Sequence, residues 1–375
     1  TFDPSNPHIQ IIETNYGTLT LDMQTGKFTF DISGSEADKL AQGEELNFNF
    51  RTTVDDGNGG TAEHMLAVKI KGTNDRPTLD LVEPTHGDNV TVVTDDKTGE
   101  VKFDITEKAD VANDTTVSGT LKSDDDDRGA NLRYGVALGK QDVESEAGRN
   151  LAFDSGSDGK PGMGEPLHQT SDGKIEIEGT YGTLTIDPAS NTYTYKTNEN
   201  ADKLGLNIDG TPQTGTDEFT IYVRDEHGAW TAKPISVTVT GSNDTPIITA
   251  DAEHWVKEAG VVDTSTDHGT TTDTAKTPDR SDDSRELTGA DTSLSRNGIS
   301  GQVHVKDTDT TDTLTLNIGT KEGSGTIVNG STTDADGNIT LETKFGSIIL
   351  HKDGTYTYTI DEDKTQSLSQ GQTAK

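Results

Sequence analysis

Cysteine is absent from this 375-residue sequence, and hydrophobic residues are scarce. Without cysteine the chain can form neither disulfides nor thiolate metal sites, so its stability must come from packing or from other ligands. Hydrophobic residues make up 28% of the chain and aromatic residues 5%, which on composition alone borders on intrinsic disorder. No stretch approaches the roughly 18 apolar residues that a membrane-spanning helix requires, so membrane insertion is not expected.

Basic residues are few beside acidic ones. The chain carries 31 Lys and Arg against 66 Asp and Glu, which gives a formal net charge of −35. Nucleic acid is excluded as a partner, because Lys and Arg hold its phosphates and here the electrostatic field has the opposite sign. Such a charge repels itself in a compact fold, so we expect cations to neutralise it. Divalent ions of an extracellular medium are the simplest candidates.

One phrase of sequence occurs three times, over Tyr16 to Phe30, Tyr181 to Tyr195 and Phe345 to Tyr358. The copies recur about 165 residues apart, which is the period of a whole domain. Within each copy apolar residues alternate with polar ones, as Leu19 and Leu21 do in the first, and this period of two around a turn predicts a β-hairpin. A tandem array of similar domains favours reach and multivalency over catalysis.

Further elements follow the phrase in the same order. A short helical turn is predicted at Glu36 to Leu40, at Asn200 to Leu204 and at Asp361 to Lys364. Two alternating runs joined by an acidic turn then predict a second hairpin; these are Leu46 to Phe50 with Met65 to Ile70, and Phe219 to Val223 with Ile235 to Val239. Seven or so such strands predict an all-β protein built from tandem antiparallel β-sandwich domains of immunoglobulin-like type.

The linkers Gly72 to Pro77 and Gly241 to Pro246 mark the domain boundaries, because Pro shortly after Asn-Asp disfavours helix and stiffens an extended connector. The predicted domains are residues 1–75, the C-terminal part of a first sandwich; 76–242, a complete middle sandwich; and 243–375, a third sandwich without its last strands. Two polar inserts, 139–179 and 263–297, exceed ordinary hairpin loops and are expected to be extended ribbons or mobile loops. We expect the domains to follow one another as an extended rod.

Acidic residues cluster at the ends of the predicted domains. In a sandwich whose N terminus lies at the top, the loop after the second strand and the loop between the last two strands also lie there, beside the incoming linker. Together they offer the hard oxygen ligands, six to eight at roughly 2.3 to 2.6 Å, that Ca²⁺ prefers. For the first junction the predicted ligands are Asn74, Asp75, Asp124, Asp126, Asp225 and Glu226, and which two residues of the run Asp124 to Asp127 bind stays open. For the next junction they are Glu107, Asn243, Asp244, Glu258, Asp307 and Asp309, while Asp55 and Asp56 would face a preceding domain.

The alternative for each acidic loop is a solvated surface without bound metal. Recurrence of the acids at equivalent junctions favours Ca²⁺, and ions that bridge two domains would restrict the hinge between them. Neighbouring repeats of the same chain are then its main partners, and we expect a monomer.

No catalytic motif stands out in the sequence. Its nine His residues include no pair at zinc-binding spacing, and neither a Gly-x-Ser-x-Gly elbow nor a phosphate-binding loop occurs, so an enzyme is not expected. Carbohydrate binding is the serious alternative, because Trp230 and Trp255, each close to a His residue, could serve as sugar platforms. Packing roles are favoured for both, since Trp230 opens the last strand of its sandwich and Trp255 lies near a junction.

Several short motifs recur in a fixed order. The Asn-Asp linkers that end in Pro, the Thr-Glu or Lys-Glu before a Ser-Gly strand, the Asp-x-Asp after it and the Tyr-Gly-Thr-Leu-Thr hairpin together resemble the VCBS or bacterial cadherin-like repeats of giant RTX adhesins. The resemblance covers nearly all of the chain outside the two inserts. The Gly-Gly-x-Gly-x-Asp nonapeptide of RTX secretion regions is absent from this sequence.

This resemblance implies a function in cell adhesion. It implies a segment of a very long, type I secreted bacterial surface protein that supports attachment and biofilm formation. Ca²⁺ would stiffen the extender region, which projects a terminal ligand-binding domain. Some related cadherin-like domains are lectins, so a Ca²⁺-dependent carbohydrate-binding module is the alternative.

Overall fold

The computed structural model describes residues 1–110, 115–250, 298–322, 326–328 and 331–365. The chain divides into two compact units, Thr1–Asn243 and Asp244–Lys375, and the division falls within the second Asn-Asp linker. Trp255, Glu258 and the predicted insert 263–297 lie outside the described residues. Within those residues, no helix has the length and apolar character needed to cross a membrane.

The first unit begins with two facing β-elements. Their strands are β1 (Phe2–Asp3), β2 (Asn6–Thr14), β3 (Gly17–Asp22), β4 (Phe28–Ile32), β5 (Glu45–Asp55) and β6 (Thr61–Lys71). β1 to β4 form one antiparallel sheet in chain order, and β5 pairs with β6 in a two-stranded hairpin. Both predicted hairpins are confirmed: Leu19 pairs with Phe30, and Leu46 pairs with Ile70.

Aromatic side chains join this sheet to the β5–β6 hairpin. The ring centroid of Phe30 lies 5.9 Å from that of Phe48 and 6.2 Å from that of Phe50, and Tyr16 lies 5.5 Å from Phe48. These separations fall in the roughly 4.5 to 7 Å range of favourable aromatic pairs. Because side chains alternate along a strand, the period-two pattern puts these rings on the faces that meet.

The middle repeat is a β-sandwich with more strands than the seven or so predicted. The strands are β7 (Thr78–Thr85), β8 (Val90–Thr94), β9 (Val101–Thr106), β10 (Thr116–Asp124), β11 (Arg133–Leu138), β12 (Ile175–Glu178), β13 (Gly182–Asp187), β14 (Thr192–Thr197), β15 (Thr214–Arg224) and β16 (Trp230–Thr240). One sheet has the order β12-β13-β14-β10-β7 and the other β11-β15-β16-β9-β8. Pairing is antiparallel throughout both sheets except between β9 and β16.

The core of this sandwich lies between its two sheets. In β9, Val101, Phe103 and Ile105 are buried, while Lys102 and Asp104 between them are exposed. The repeated phrase and the β15–β16 hairpin supply further core residues, among them Leu184, Ile186, Tyr193, Tyr195, Phe219, Ile221, Val237 and Val239. Removing such side chains from water is the main stabilising contribution, at about 25 cal/mol per Å².

The segment between β11 and β12 packs on the outer face of the second sheet and contains a short helix, α1 (Glu146–Arg149). A second, smaller hydrophobic cluster holds it there, made of Ala137, Ala152, Phe153, Tyr222 and Ala232. The expectation of an extended ribbon or mobile loop is therefore wrong for this part of the 139–179 insert. Its apolar residues find a matching apolar patch on the sheet.

The second unit is built on one six-stranded sheet. Its elements are β17 (Ile247–Ala250), β18 (Gly298–Lys306), β19 (Thr320–Glu322), β20 (Thr326–Val328), β21 (Ser331–Thr333), β22 (Ile339–Glu342), β23 (Gly346–Leu350), β24 (Thr355–Ile360) and α2 (Glu362–Thr365). The sheet order is β17-β18-β24-β23-β22-β21, and β19 pairs with β20 separately. The predicted helical turn at Asp361 to Lys364 is present as α2, whereas Glu36 to Leu40 and Asn200 to Leu204 form turns that are not helical.

Candidate metal centre

Three segments meet where the first linker enters the middle sandwich: residues 74–75, the loop after β10, and the turn between β15 and β16. The Asp75 amide donates a hydrogen bond to Asp127 Oδ2 at 2.9 Å. The Asn74 Nδ2 donates to Asp225 Oδ2 at 2.8 Å. These two bonds tie the linker to both loops, as the sequence predicted for a sandwich of this topology.

Three oxygen atoms at this meeting point are buried and accept no hydrogen bond from any residue that the structure describes: Asn74 Oδ1, Asp125 Oδ2 and Asp127 Oδ1. Asp127 is only 6% exposed. A buried charge is normally paired or bound to a metal, because desolvation without compensation is costly. These atoms are therefore candidate ligands for a cation. We name the group of Asn74, Asp125, Asp127 and Asp225 the first junction site.

The run Asp124 to Asp127 divides into two inner and two outer carboxylates. Asp124, the last residue of β10, and Asp126 are exposed. Asp125 Oδ1 accepts the Asp127 amide at 2.9 Å, and Asp127 Oδ2 accepts the Asp75 amide. The second oxygen of each inner residue has no partner among the described residues. The geometry therefore favours Asp125 and Asp127 as candidate ligands within the run whose binding pair the sequence left open. A ligand role for Asp124 and Asp126 stays a prediction.

Asp225 caps the turn between β15 and β16. Its Oδ1 accepts the amides of His227, Gly228 and Ala229 at 2.7, 2.6 and 3.1 Å, so the turn is wrapped around one carboxylate oxygen. Gly228 has a φ of 99°, which only glycine adopts without strain. The other oxygen is thereby held toward Asn74.

Negative charge accumulates at the first junction site. Burial raises the pKa of Asp125, and the charges of Asp127, Asp225 and Asp75 raise it further, although the hydrogen bond from the Asp127 amide acts against them. Burial also raises the pKa of Asp75, together with the charges of Asp127 and Asp38. Asp38 belongs to the first repeat, so two successive repeats contribute to this field. A bound divalent cation would reverse these shifts.

The second unit contains a site of the same kind, formed by Asp244, Asp307, Asp309 and Asp312, which we name the second junction site. The Asp244 amide donates to Asp309 Oδ2 at 2.8 Å, and the Asp309 amide donates to Asp307 Oδ1 at 3.0 Å. Asp307 Oδ2 and Asp309 Oδ1 are buried and accept no hydrogen bond within the described part of the chain. Oxygens of Asp307, Asp309 and Asp312 lie within 4.8 Å of one another.

Burial raises the pKa of Asp309, which is 3% exposed, and the charges of Asp244, Asp312 and Asp307 add to the shift. The Asp244 amide opposes it by donating a hydrogen bond. A carboxylate this buried and surrounded by like charges is unfavourable in the absence of a cation.

The two sites are built alike. In each, the strand before the acidic loop pairs with the strand after the linker in the same register, with Asp124 opposite Thr78 and Lys306 opposite Ile247. In each, the linker Asp amide binds the second residue of an Asp-x-Asp pair. Two separate stretches of sequence thus fold into one arrangement, including the unpartnered oxygens.

Sequence reasoning did not include Asp312, and it left open which two residues of the run Asp124 to Asp127 would bind. The choice within the four-residue run had a usable signal, because Asp125 is the sixth residue after Gly119 just as Asp307 is the sixth after Gly301. Counting from the Ser-Gly strand would have identified the inner pair. Asp312 had no such signal, since the loop that folds back to bring it close to Asp309 carries no repeated motif.

The other predicted ligands take different positions. Glu107 is buried, and its Oε2 accepts the Ser242 amide at 3.2 Å and the Ser242 hydroxyl. Glu226 Oε2 accepts the Asn131 amide at 2.7 Å, and Asn243 is exposed at the end of the first unit. Their role as ligands stays a prediction.

Asp55 and Asp56 are exposed in the turn between β5 and β6. Asp55 Oδ1 accepts the Gly57 amide at 2.7 Å. Asp56 Oδ1 accepts the amides of Asn58 and Gly60 at 2.8 and 2.9 Å, in the manner of Asp225. One oxygen of each therefore stabilises the turn, and the predicted metal contact would have to use the other.

Trp230 is packed among cations and backbone. The guanidinium carbons of Arg149 and Arg76 lie 4.6 and 5.8 Å from its ring centroid, and its Nε1 donates to the Val143 carbonyl at 3.3 Å. Stacking of this kind joins the insert to the start of β16. A carbohydrate-binding role for Trp230 stays a prediction, in which the sugar would compete with Arg149 for the indole face.

The donor set at both junction sites fits Ca²⁺. It consists of carboxylate oxygens, with an amide oxygen at the first site, and hard oxygen donors on loops are the ligands that Ca²⁺ prefers. The unpartnered atoms are Asn74 Oδ1, Asp125 Oδ2 and Asp127 Oδ1 at one site, and Asp307 Oδ2 and Asp309 Oδ1 at the other. Water would complete the coordination shell.

Solved structures similar to this chain include extracellular cadherin domains. The protocadherin gammaB4 extracellular domain is 10% identical over 94% of this chain and 37% of that chain, with a TM-score of 0.27. Domains EC3-6 of protocadherin gammaB7, described as a cis-dimer, are 13% identical over 94% of this chain and 57% of that chain, with a TM-score of 0.30. Domains EC22-24 of mouse cadherin-23 are 12% identical over 64% of this chain and 53% of that chain, with a TM-score of 0.26.

The chain thus spans 37% to 57% of the length of these three solved chains. No protein-family model matches the sequence, and no curated protein matches it. At these identities and TM-scores the likeness identifies no functional residue.

Proposed function

We propose that this chain is a non-catalytic extender segment of a secreted bacterial adhesin. Ca²⁺ bound at the repeat junctions would make the tandem array stiff enough to hold a terminal ligand-binding domain away from the cell during attachment and biofilm formation. The immediate partners are neighbouring repeats of the same chain. The place of action is extracellular, where modules of this kind bind Ca²⁺ in roughly the 10⁻⁴ to 10⁻³ M range.

One observation carries the proposal. Equivalent residues in two repeats, Asp127 and Asp309, are buried, bind the amide of a linker Asp with one oxygen, and leave the other without a partner among the described residues. A solvated acidic loop would not bury its carboxylates, and recurrence of the arrangement supports a common ligand. Because the amide donors belong to the linkers, a cation held there would restrain the linker itself.

Charge explains how the ion would act. In chelator the clustered carboxylates repel one another and weaken the junction. A cation that binds the folded form and not the unfolded chain stabilises it by mass action, by about 2.7 kcal/mol at a hundredfold excess over Kd. Stiffness and stability should therefore rise together with Ca²⁺ concentration.

The test compares single substitutions within one acidic run. Asp127→Asn keeps the size of the side chain and its acceptor for the Asp75 amide but removes the charge. We expect it to lower the Ca²⁺ affinity of the first junction site at least tenfold, or about 1.4 kcal/mol, and to abolish that site's share of the Ca²⁺-induced rise in Tm. Calorimetric titration and thermal melts in Ca²⁺ and in chelator measure both.

Asp124→Asn is the matched control. Asp124 lies three residues before Asp127 and is exposed, so this variant removes the same charge from a side chain outside the site. It should bind Ca²⁺ almost as the unmodified chain does. Equal losses in both variants, or an unmodified chain whose Tm ignores Ca²⁺, would refute the proposal.

A further inference from the structure

Arg149, the last residue of α1, joins the insert to the turn that carries Asp225. It is 8% exposed. Its Nη1 donates to the Gly228 carbonyl and its Nη2 to the Pro161 carbonyl, both at 3.2 Å. One guanidinium therefore bridges a carbonyl of the metal-site turn and a carbonyl of the insert.

Arg224, the last residue of β15, makes a second bridge of the same design. Its Nη1 donates to the Asp225 carbonyl at 3.0 Å, and its Nη2 donates to the carbonyls of Met163 and Gly164 at 3.2 and 2.7 Å. It is 2% exposed, and its guanidinium carbon stacks 4.9 Å from the Phe153 ring centroid. Among the described residues, neither this arginine nor Arg149 hydrogen-bonds a carboxylate, so both serve to fix backbone.

The β5–β6 hairpin shows the same turn with a more exposed capping residue. Asp56 caps that turn as Asp225 caps its own, yet Asp56 is exposed whereas Asp225 is 1% exposed. The residue pair that closes each turn also differs. Asp55 pairs with Thr61 in the β5–β6 hairpin, and Arg224 pairs with Trp230 in the β15–β16 hairpin. The capping bonds form in both turns, and the buried turn of the middle repeat is the one on which Arg149 and Met163 of the insert pack.

A short path leads from the arginine to the ion ligands. Arg149 holds the Gly228 carbonyl, the Gly228 amide binds Asp225 Oδ1, and Asp225 Oδ2 binds Asn74, whose Oδ1 is one of the unpartnered buried atoms. A side chain added at Gly228 would meet Met163 of the insert at 2.6 Å, so insert and turn are in close contact. Groups that orient metal ligands in this way typically change metal affinity 10- to 100-fold.

We propose that the part of the insert between β11 and β12, residues 139–174, is a positioning element for the first junction site, and that Arg149 acts through Gly228 to hold Asp225 and Asn74 in place for the cation. This inference rests on the proposed function. It assigns the insert a task in setting the ion affinity of one particular junction, and it makes Arg149 a positioning residue rather than a ligand.

The experiment uses Tb³⁺ alone as the probe, in the intact chain carrying Asp309→Asn so that the first junction site dominates the signal. Arg149→Met keeps an apolar stem and removes every donor. We expect it to weaken Tb³⁺ binding about tenfold and to add about one water ligand to the bound ion, because a displaced Asn74 or Asp225 oxygen is replaced by solvent. Luminescence lifetimes in H₂O and D₂O give that hydration number, which a general loss of stability would leave unchanged.

Arg133→Met is the matched control. Arg133 also joins the sheet to the insert, through Glu165, and its substitution removes the same charge. Within the described structure, no hydrogen bond links Arg133 to the turn at residues 225–229. Arg133→Met should leave Tb³⁺ affinity and hydration unchanged. Arg149→Lys keeps the charge and an apolar stem but has a single donor nitrogen in place of the guanidinium fork, so we expect an intermediate affinity. This variant decides the question if Arg149→Met does not fold.

The outcomes separate the two proposals. If the parent chain does not bind Tb³⁺, the proposed function fails and the inference fails with it. If the parent binds and Arg149→Met binds equally well with the same hydration, only the inference is overturned. Tighter binding by Arg149→Met would also overturn it, because repulsion between the arginine and the ion would then outweigh positioning.

Discussion

Asp126 and Asp127 are adjacent, yet Asp126 is exposed and Asp127 carries a buried oxygen without a partner among the described residues. The difference arises because the loop after β10 turns Asp127 toward the linker, where its Oδ2 accepts the Asp75 amide. Residue type is the same at both positions. At this scale the candidate function depends on which side of the chain a carboxylate occupies.

The raised pKa values of Asp75, Asp125 and Asp309 predict an unusual pH dependence in chelator. Consider a carboxyl whose pKa is higher in the folded state than in the unfolded chain. At a pH between these two pKa values, the folded state binds more protons than the unfolded chain does. The free energy of unfolding should therefore rise as pH falls from neutral through the raised values toward the ordinary 3.8. Urea denaturation across this window measures it, and a steady loss of stability from pH 7 downward would contradict the prediction.

With Ca²⁺ present the dependence should take the opposite sign. Protons compete with the cation for the same oxygens, so the Ca²⁺-dependent gain in Tm should shrink as pH falls through the raised pKa values. Carboxylates that cap turns affect the pH dependence of stability only at lower pH. Hydrogen bonds from Thr25 and Gln24 lower the pKa of Asp22, for example, so its contribution is lost as pH falls below 3.8.

Asp217 illustrates a buried carboxylate that needs no cation. It accepts hydrogen bonds from the amides of Thr180 and Tyr181 at 2.7 and 2.9 Å and from the Tyr195 hydroxyl at 2.8 Å. The equivalent of Asp217 in the first repeat, counted from the linker glycines, is Phe48. The equivalent of Tyr195, counted from the start of the repeated phrase, is Phe30, and these two rings pack together instead. A polar pair in one repeat thus replaces an aromatic pair in another.

We predict that Asp217→Asn lowers the free energy of unfolding by about 2 to 3 kcal/mol, because charge-assisted bonds are lost and an amide group faces buried donors. Tyr195→Phe should cost about 1 kcal/mol, since it removes one of the three donors and leaves the two backbone bonds. Urea denaturation of both variants measures the difference. A cost for Asp217→Asn no larger than that for Tyr195→Phe would show that the carboxylate is dispensable.

At the level of elements, the β15–β16 hairpin of the middle repeat is packed on both of its faces. The outer face of β15–β16 carries Tyr222 and Ala232, which pack under the insert, while the opposite face builds the main core. Gly135 of β11 permits close approach, because a side chain there would meet the Phe153 ring at 2.7 Å. The insert is therefore a third layer of the middle repeat.

Phe153→Ala should remove that layer's anchor. Phe153 is 1% exposed, and truncation of a buried Phe typically costs 3 to 5 kcal/mol, roughly. We expect protease cleavage within residues 139–174 at concentrations that leave the parent chain intact. Leu151→Ala is the control, because Leu151 is 52% exposed in the same segment and should behave like the parent. Equal protease resistance in both variants would mean that the cluster does not hold the insert.

At the scale of the whole molecule, the chain carries a net charge of −35, and part of this charge lies at the junctions. The unpartnered oxygens at Asp127 and Asp309 concentrate that charge where linkers meet folded repeats. Cation binding at these points would act on connections between repeats more than on the cores inside them.

Small-angle X-ray scattering with thermal melts on the same samples tests this at molecular scale. In Ca²⁺ we expect a longer maximum dimension, a narrower distribution of conformations and a higher Tm than in chelator, because junction repulsion is removed. Asp127→Asn combined with Asp309→Asn should make the two conditions alike. If the maximum dimension and the Tm of the unmodified chain were the same in Ca²⁺ and in chelator, the acidic loops would be solvated surface without bound metal.

Local pattern alone determined the hairpins of this protein, and tertiary structure decided its candidate ligands. The period of two in the repeated phrase identified β3–β4, β13–β14 and β23–β24, because alternation fixes which face of a strand is apolar whatever surrounds it. The acidic character of the junctions was also evident in the sequence. Which carboxylates lose their solvent was decided only when the linker amides of Asp75 and Asp244 met the loops of another part of the chain. The same is true of Arg149, since a contact between residues 79 positions apart leaves no periodic trace in the sequence.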